Sequence, residues 1–592
     1  MMTRPERRSL FQPVVGERLD AGLSADDMVR AYHQRTKHRL DGFAAGPDVL
    51  DWDAQPQAFR QWTGAPRSLL PLAARAWPRT WAQAHDVAEP DKVMAPHPLN
   101  RAGVALWLEM ALGLTAWKRL GPDRWALRAN PSSGNLHPTE AYVLAQGVPD
   151  LPDGLLHYAS ENHALAWRAQ GRLRHRGEPI SGTLLSVGLS SIHWREAWKY
   201  GERAFRYCEL DTGHVVGALR YAAAALGWRA RWDGEVSAER VAHLLGLDRA
   251  QDFAGVEAEE PQGLVRVWVR HGVLANMGLA ELGWADVCWD DGVQWAGRAS
   301  RLDPRPRYEW PVIEQVALAS RPTGVRPAEV AHDEPPGAPM PPGALSAHSV
   351  RADEPMSRLL LERRSAQRFD HRATMSRAAL ERLLAPLQNA GEVPLDAWSW
   401  PPQVQLLVFA HRVEGLAPGA YALPRGAMGA EALVRMLPGG QQPVSGWPGA
   451  RPLLTVSENP ALAGTLRTLS CHQALGSDAC VAFSLVAPFG EPGSYRRLLQ
   501  EAGLLGQALY LRAEAEGLRG TGIGCYFDDA VHEWLGWSDA RWQVLYHFTV
   551  GHPLTDPRLQ SEPAYDEARQ AADTSFNVSV LMPGGDTGGH PP

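Results

Sequence analysis

The chain has 592 residues, 45% of them hydrophobic and 21% charged, with a formal net charge of −7. That length implies two to four domains with ample core. The mild acidity gives no basic field for nucleic acid. No apolar run is long enough for a membrane-spanning helix. The N-terminal MMTRPERRSLFQPVVGERLD lacks the apolar stretch of a secretory signal. The five cysteines (Cys208, Cys288, Cys471, Cys480, Cys525) are odd in number and scattered, which fits reduced thiols and a cytoplasmic location. Cys471-His472 and Cys480 have no second pair at ligand spacing, so no metal site is expected.

In chain order, QRTKHRLD (34–41) is the first basic segment. LDWDAQPQAFRQWTGAP (50–66) follows, and either covers a sheet or shapes the mouth of a site. PSSGNLHP (131–138) offers neutral hydrogen-bonding side chains and a glycine that permits close approach. It suits a flat polar heterocycle, or it is an ordinary turn entering the strand at 142–151. WKYGERAFRY (198–207) carries Lys199 and Tyr200, either as a functional pair or as the solvated start of an amphipathic helix. Apolar spacing over 205–228 predicts a helix closed by a glycine. His214 lies on it, as a half-buried core histidine or a ligand contact.

Residues 320–356 are dense in Pro, Gly and Ala without periodicity, the composition of a linker. RRSAQRFD (363–370) follows, gathering Arg363, Arg364, Ser365 and Arg368 within six positions. Guanidinium forks and a hydroxyl suit a phosphate dianion; a solvated basic helix end is the other reading. A helix is expected at 495–518. GTGIGCYFDD (520–529) is glycine-rich but follows that helix, which excludes a Rossmann fingerprint and leaves a ligand-facing loop or a plain turn. LYHFTVGHPLTDPRL (545–559) predicts a strand and a turn carrying Arg558.

Three segments repeat in the same order: 34–41 with 363–370, 142–151 with 407–416, and 205–228 with 495–518. Gly213 falls on Gly503 and Gly227 on Gly517. The order implies an internal duplication whose halves pack as a homodimer would.

RRSAQRFD, PSSGNLHP, the glycine-rich segment after a helix and the terminal G-x-P-x-x-D-P-R together resemble the nitroreductase superfamily of FMN flavoproteins. WREAWKYGERAFRYCELDTGH (194–214) resembles its SagB-type dehydrogenase branch, which includes azoline oxidases, and 50–66 looks like a feature of its tandem members. The resemblance implies an α+β fold: two nitroreductase-like halves, each an antiparallel-dominated sheet flanked by helices, packed as an intrachain pseudo-dimer. The expected boundaries are an N-terminal segment with the first helices of half one (1–90), half one (91–318), a linker (319–356), half two (357–575) and a disordered tail (576–592).

The resemblance further implies one FMN per chain at the interface. Ser132, Ser133 and Asn135 would come from half one; Arg363, Arg364, Ser365, Arg368, Gly522, Gly524 and Arg558 would come from half two. The symmetry-related site is expected to be broken, because PSSGNLHP aligns with DAWSWPPQ (396–403). Lys199 and Tyr200 resemble the branch's catalytic pair, with the ammonium expected to lower the tyrosine pKa and stabilise phenolate. The implied reaction is a two-electron oxidation of a small ring or a peptide-borne azoline, with oxygen reoxidising the flavin. Two alternatives stay open. One is an NAD(P)H-dependent nitroreductase-like reductase; the other is a flavin-less pseudoenzyme or scaffold in a peptide-modifying complex. The expected partners are a small-molecule or modified-peptide substrate and a peptide-modifying enzyme.

Overall fold

The structure is a computed structural model that describes residues 13–86, 94–269, 283–322, 341–437, 439–489, 492–537 and 541–565. The expected tail at 576–592 and the middle of the linker lie outside the described residues. The linker's later part, 341–355, is laid down in turns with a short 3-10 helix, Ser346–His348. Gly343 N there donates to Glu392 at 2.7 Å.

Two antiparallel sheets carry the fold. Numbered by chain order, half one contributes Thr139–Gln146, Gly154–Ala159, Ala164–Gln170, Leu184–Ser191, Trp228–Asp233 and Glu260–Val269. Half two contributes Gln405–Ala410, Gly419–Leu423, Leu454–Glu458, Val481–Pro488, Arg519–Ile523 and Trp542–Gly551. Across both sheets these strands lie in the order 5-6-4-1-2-3, with every neighbour antiparallel. In each half one long helix joins strands four and five: Ala204–Ala225, preceded by a shorter helix, and Pro492–Ala515. Both end at a left-handed glycine, Gly227 (φ +74°) and Gly517 (φ +70°), which releases the chain into strand five.

These two helices pack against each other at the centre. A Cβ on Gly213 would collide with the backbone oxygen of Gln500, and one on Gly503 with that of Leu210. The aligned glycines thus make reciprocal contacts, as a twofold requires, and only their missing side chains let the backbones approach. The whole first central helix is interior, with all its residues buried. One apolar core runs through both halves, and a smaller cluster covers the outer face of each sheet. Buried charges join the halves: Arg206 reaches Asp528 at 2.9 Å, and Arg496 reaches Glu260 at 2.9 Å. Ends are exchanged as well. The strand Gln560–Glu562 pairs with Leu114–Leu120 of half one, and His38 bridges to Phe527.

One local expectation changes. GTGIG is not a loop but most of an edge strand, Arg519–Ile523, paired to Trp542–Gly551. Its alternation of Gly with Thr and Ile lets aromatic rings cross one face.

Candidate active site at the interface of the halves

A cavity of about 590 Å³ opens between the halves. It brings together Ser132, Ser133, Asn135 and Tyr200 from half one with Arg363, Arg364, Ser365, Gly522 and Gly524 from half two. Ser133 and Arg364 thus face one common space.

One end is cationic. Lys118, Arg363, Arg364 and Arg519 all line it. Arg363 is buried and bonded to Ala129 O at 3.0 Å through Nε, yet its Nη1 has no hydrogen-bond partner among the described residues. Arg364 is pulled down to about 10 by burial, then by Arg363 and Arg519. Burial, then Arg364 and Arg519, also lowers Lys118. Cations that depress one another, with one fork atom unspent, leave room for an anion's charge.

The other end is built on the Pro131–Pro138 loop. Gly134 (φ +59°), Asn135 (φ +60°) and His137 (φ +52°) turn the chain tightly. The polar side chains expected to face a ligand are partly spent on holding the loop. Ser133 donates to Asp211 from both N and Oγ at 3.0 Å. Asn135 donates to Ala126 O at 2.9 Å and accepts from His137 Nε2 at 3.1 Å. Ser132 Oγ accepts from His137 N at 2.8 Å. Asn130 Oδ1 lines the cavity and is buried without a hydrogen-bond partner among the described residues.

Asp211 lies fully buried beneath this loop, and burial raises it to about 7. Glu196 nearby is pushed well above the carboxylate range by burial and then by Asp211. His214 is held between Gln507 (3.3 Å) and Tyr546 (3.1 Å), and burial lowers it to about 3, so it is neutral.

Lys199 and Tyr200 converge here although neighbours along a helix face apart. The helix His193–Tyr200 stops at this point, and Gly201 turns the backbone away at φ +55°. Lys199 Nζ then lies 5.3 Å from the Tyr200 ring centroid. A Cβ on Gly134 would stand 2.5 Å from the Tyr200 hydroxyl and 3.2 Å from Lys199 Nζ. Tyr200 lines the cavity; Lys199 is absent from its lining and sits beside Trp52 at 5.7 Å. The 50–66 segment therefore meets the pair through Trp52, while its buried Trp62 covers the first sheet. The expected phenolate does not arise: burial, then Glu196, raises Tyr200 well above 10. Burial lowers Lys199.

Two expected phosphate contacts stand away from the cavity. Arg558 is exposed, forks onto Asp556 at 2.7 Å and 3.0 Å through Nη2 and Nε, and does not line the cavity. Arg368 is also exposed and outside the lining. Gly522 and Gly524 make room for protein rings: a Cβ would collide with Tyr546 and Tyr207, respectively. Lys118, Arg519 and Asp211 were missed by sequence reasoning. The signal for Asp211 was present, three residues before His214 in DTGH, but its partner loop is 78 positions away. Among the described residues no group of His, Cys, Asp and Glu could hold a metal, and no helix is long and apolar enough to cross a membrane.

The family model described as "Nitroreductase family" matches residues 124–258 and 453–552, one segment in each half. A nitroreductase-like protein of Methanocaldococcus jannaschii is 25% identical over 112 residues, 18% of this chain; the chain spans 57% of that relative's length. The crystal structure of a nitroreductase-like protein from Anabaena variabilis superposes with a TM-score of 0.60 at 21% identity, covering 89% of this chain and 99% of that one. It shares the fold across almost the whole molecule. Two family-model matches, one per half, on two sheets of identical strand order, show that this chain carries a nitroreductase-like fold twice.

Proposed function

We propose that the chain is an FMN-dependent oxidoreductase with one flavin per polypeptide, catalysing two-electron oxidation of a small ring or a peptide-borne azoline. The observation that carries this reading is the four-cation end of the cavity, with Arg363 Nη1 unspent, facing the Ser133–Asp211 loop across one space. A phosphate fits the first and a polar ring system the second. When bound, FMN would supply the hydride-accepting chemistry.

The chain's own residues then have separable tasks. Arg363, Arg364, Arg519 and Lys118 hold the phosphate. Asp211 fixes the Ser133–Asn135 turn against the ring. Tyr200, kept neutral, presents its hydroxyl to the cavity and, with Lys199 beside its ring, handles the substrate proton. A peptide substrate and a peptide-modifying partner belong to the same proposal, as does a cytoplasmic location.

The test is flavin stoichiometry on purified protein, followed by turnover of a thiazoline-bearing model peptide. One FMN per chain is expected. Arg363→Ala is expected to weaken FMN binding about 30-fold, equivalent to losing a charged hydrogen bond of about 2 kcal/mol. Tyr200→Phe and Lys199→Met are expected to keep the flavin and lose about 100-fold or more in kcat. A colourless protein that takes up no added FMN overturns the reading.

A further inference from the structure

We propose that Cys471 and Cys525 form a redox-active dithiol on the cavity wall, which exchanges with low-molecular-weight disulfides. The two residues are 54 positions apart and come from different elements, yet their Sγ atoms lie 2.6 Å from each other. Both are partly exposed. Cys525 follows Gly524 where the chain leaves its edge strand, and it lines the cavity. Cys471 sits in the turn after the helix Leu462–Leu469, with φ +52°, and His472 follows at φ +60°. Two successive non-glycine residues in the left-handed region are uncommon, and here they bring Cys471 to Cys525.

His38 completes the group. Ala44 N donates to its Nδ1 at 3.0 Å, so the neutral ring carries its proton on Nε2. His38 also hydrogen-bonds the Cys525 sulfur, and Nε2 is the nitrogen left to do so. Arg203 lies alongside, donating to Gly524 O at 3.1 Å. The bond from Cys471, then His38 and Arg203, pulls Cys525 down to about 5 against the opposing effect of burial, while Cys471 is pushed up. The sulfur that attacks is therefore Cys525. Cys208 and Cys480, by contrast, are buried and raised. Among the described residues no group of His, Cys, Asp and Glu, this one included, is placed to hold a metal.

The step balances as an exchange. The Cys525 thiolate attacks one sulfur of the external disulfide, forms a mixed disulfide and expels the first thiolate. Cys471 loses its proton and attacks Cys525 Sγ, forming the 471–525 bond and expelling the second. Two protein thiols are oxidised, one disulfide is reduced to two thiols, and the two thiol protons pass to the leaving groups. The resulting bond would tie the Gly524–Cys525 segment to the 471 turn, where Gln473 already donates to Cys525 O at 3.3 Å.

The experiment treats the reduced full-length protein, with whatever flavin it carries, with oxidised glutathione under nitrogen, and maps peptides without reduction. A single Cys471–Cys525 disulfide is expected, with two thiols lost per chain and Cys208 and Cys480 intact. Cys471→Ser should stop at a glutathione adduct on Cys525, and Cys525→Ser should leave Cys471 unmodified. Glutathione on Cys288 while 471 and 525 stay reduced overturns the proposal, as does an adduct on Cys471 in Cys525→Ser. The wild-type map decides alone if a variant fails to fold. Its outcome does not depend on flavin content, so it is separable from the proposed oxidoreductase activity.

Discussion

The two pseudo-symmetric faces of this molecule share a scaffold and differ in their charges. Asp211 and Glu501 occupy aligned positions on the two central helices, and each accepts backbone N–H groups from the loop entering its sheet. Asp211 takes Ser133 N; Glu501 takes Gln403 N and Val404 N. Glu501 is also clamped by Arg425 Nη1 at 2.8 Å. Asp211 is held by serines, and no basic side chain is among the influences that set its pKa. The aligned arginines repeat the contrast. Arg35 forks onto Glu202 at 2.5 Å and 2.6 Å, whereas the Arg364 guanidinium donates to backbone carbonyls and lies among Arg363 and Arg519, with Glu514 as its acidic neighbour. Where one face has the Ser133–Asn135 turn and a cavity, the other has Trp398 and Trp400, with ring centroids 4.8 Å apart, packed on the core. Duplication preserved packing on both faces, but only one kept a buried central-helix acid without an arginine clamp, opposite a cluster of cations that share Glu514. Such charge is costly, and its persistence at a cavity is the physical mark of a site.

The comparison breaks most sharply at Arg425. Arg425→Met strands Glu501 in the interior and is expected to cost about 3–5 kcal/mol in urea unfolding. An effect under about 1 kcal/mol would mean that the clamp is not what distinguishes the faces. Next come the shared glycines. Gly213→Ala and Gly503→Ala each drive a methyl into a backbone oxygen of the facing helix. Each is expected to lose about 2–3 kcal/mol, by similar amounts, because the crossing is symmetric. Strongly unequal losses would contradict the twofold.

Asp211 sharpens the contrast through pH. It titrates near 7 in the folded chain and near roughly 3.9 in an unfolded one. A carboxyl raised on folding holds its proton better in the native state. Its contribution is full below about pH 4 and is lost as pH rises through about 7. Asp211→Asn should flatten that window by about 1.4 kcal/mol per pH unit, read as the difference between the two unfolding curves. The smallest effect is Gly134→Ala, which forces φ +59° on a residue with a Cβ and crowds the Tyr200 hydroxyl. About 1 kcal/mol is expected, together with a shift of Tyr200 visible in a crystal structure of the variant.

Local pattern determined much of this protein. Helical spacing and terminal glycines marked both central helices, and the order of repeats marked the duplication. Ser132, Ser133, Asn135 and the Arg363–Ser365 run stood out because each is contiguous. Those signals reside within a few turns of chain, where periodicity and turn chemistry act. Tertiary structure alone decided which charges are paired. Tyr200 looked like a phenolate until burial, then Glu196, raised it. Lys118 joined Arg519 only once the halves had closed, and Cys471 met Cys525 only once half two had folded. Desolvation and long-range pairing depend on what the fold brings from elsewhere, and no local segment carries that information.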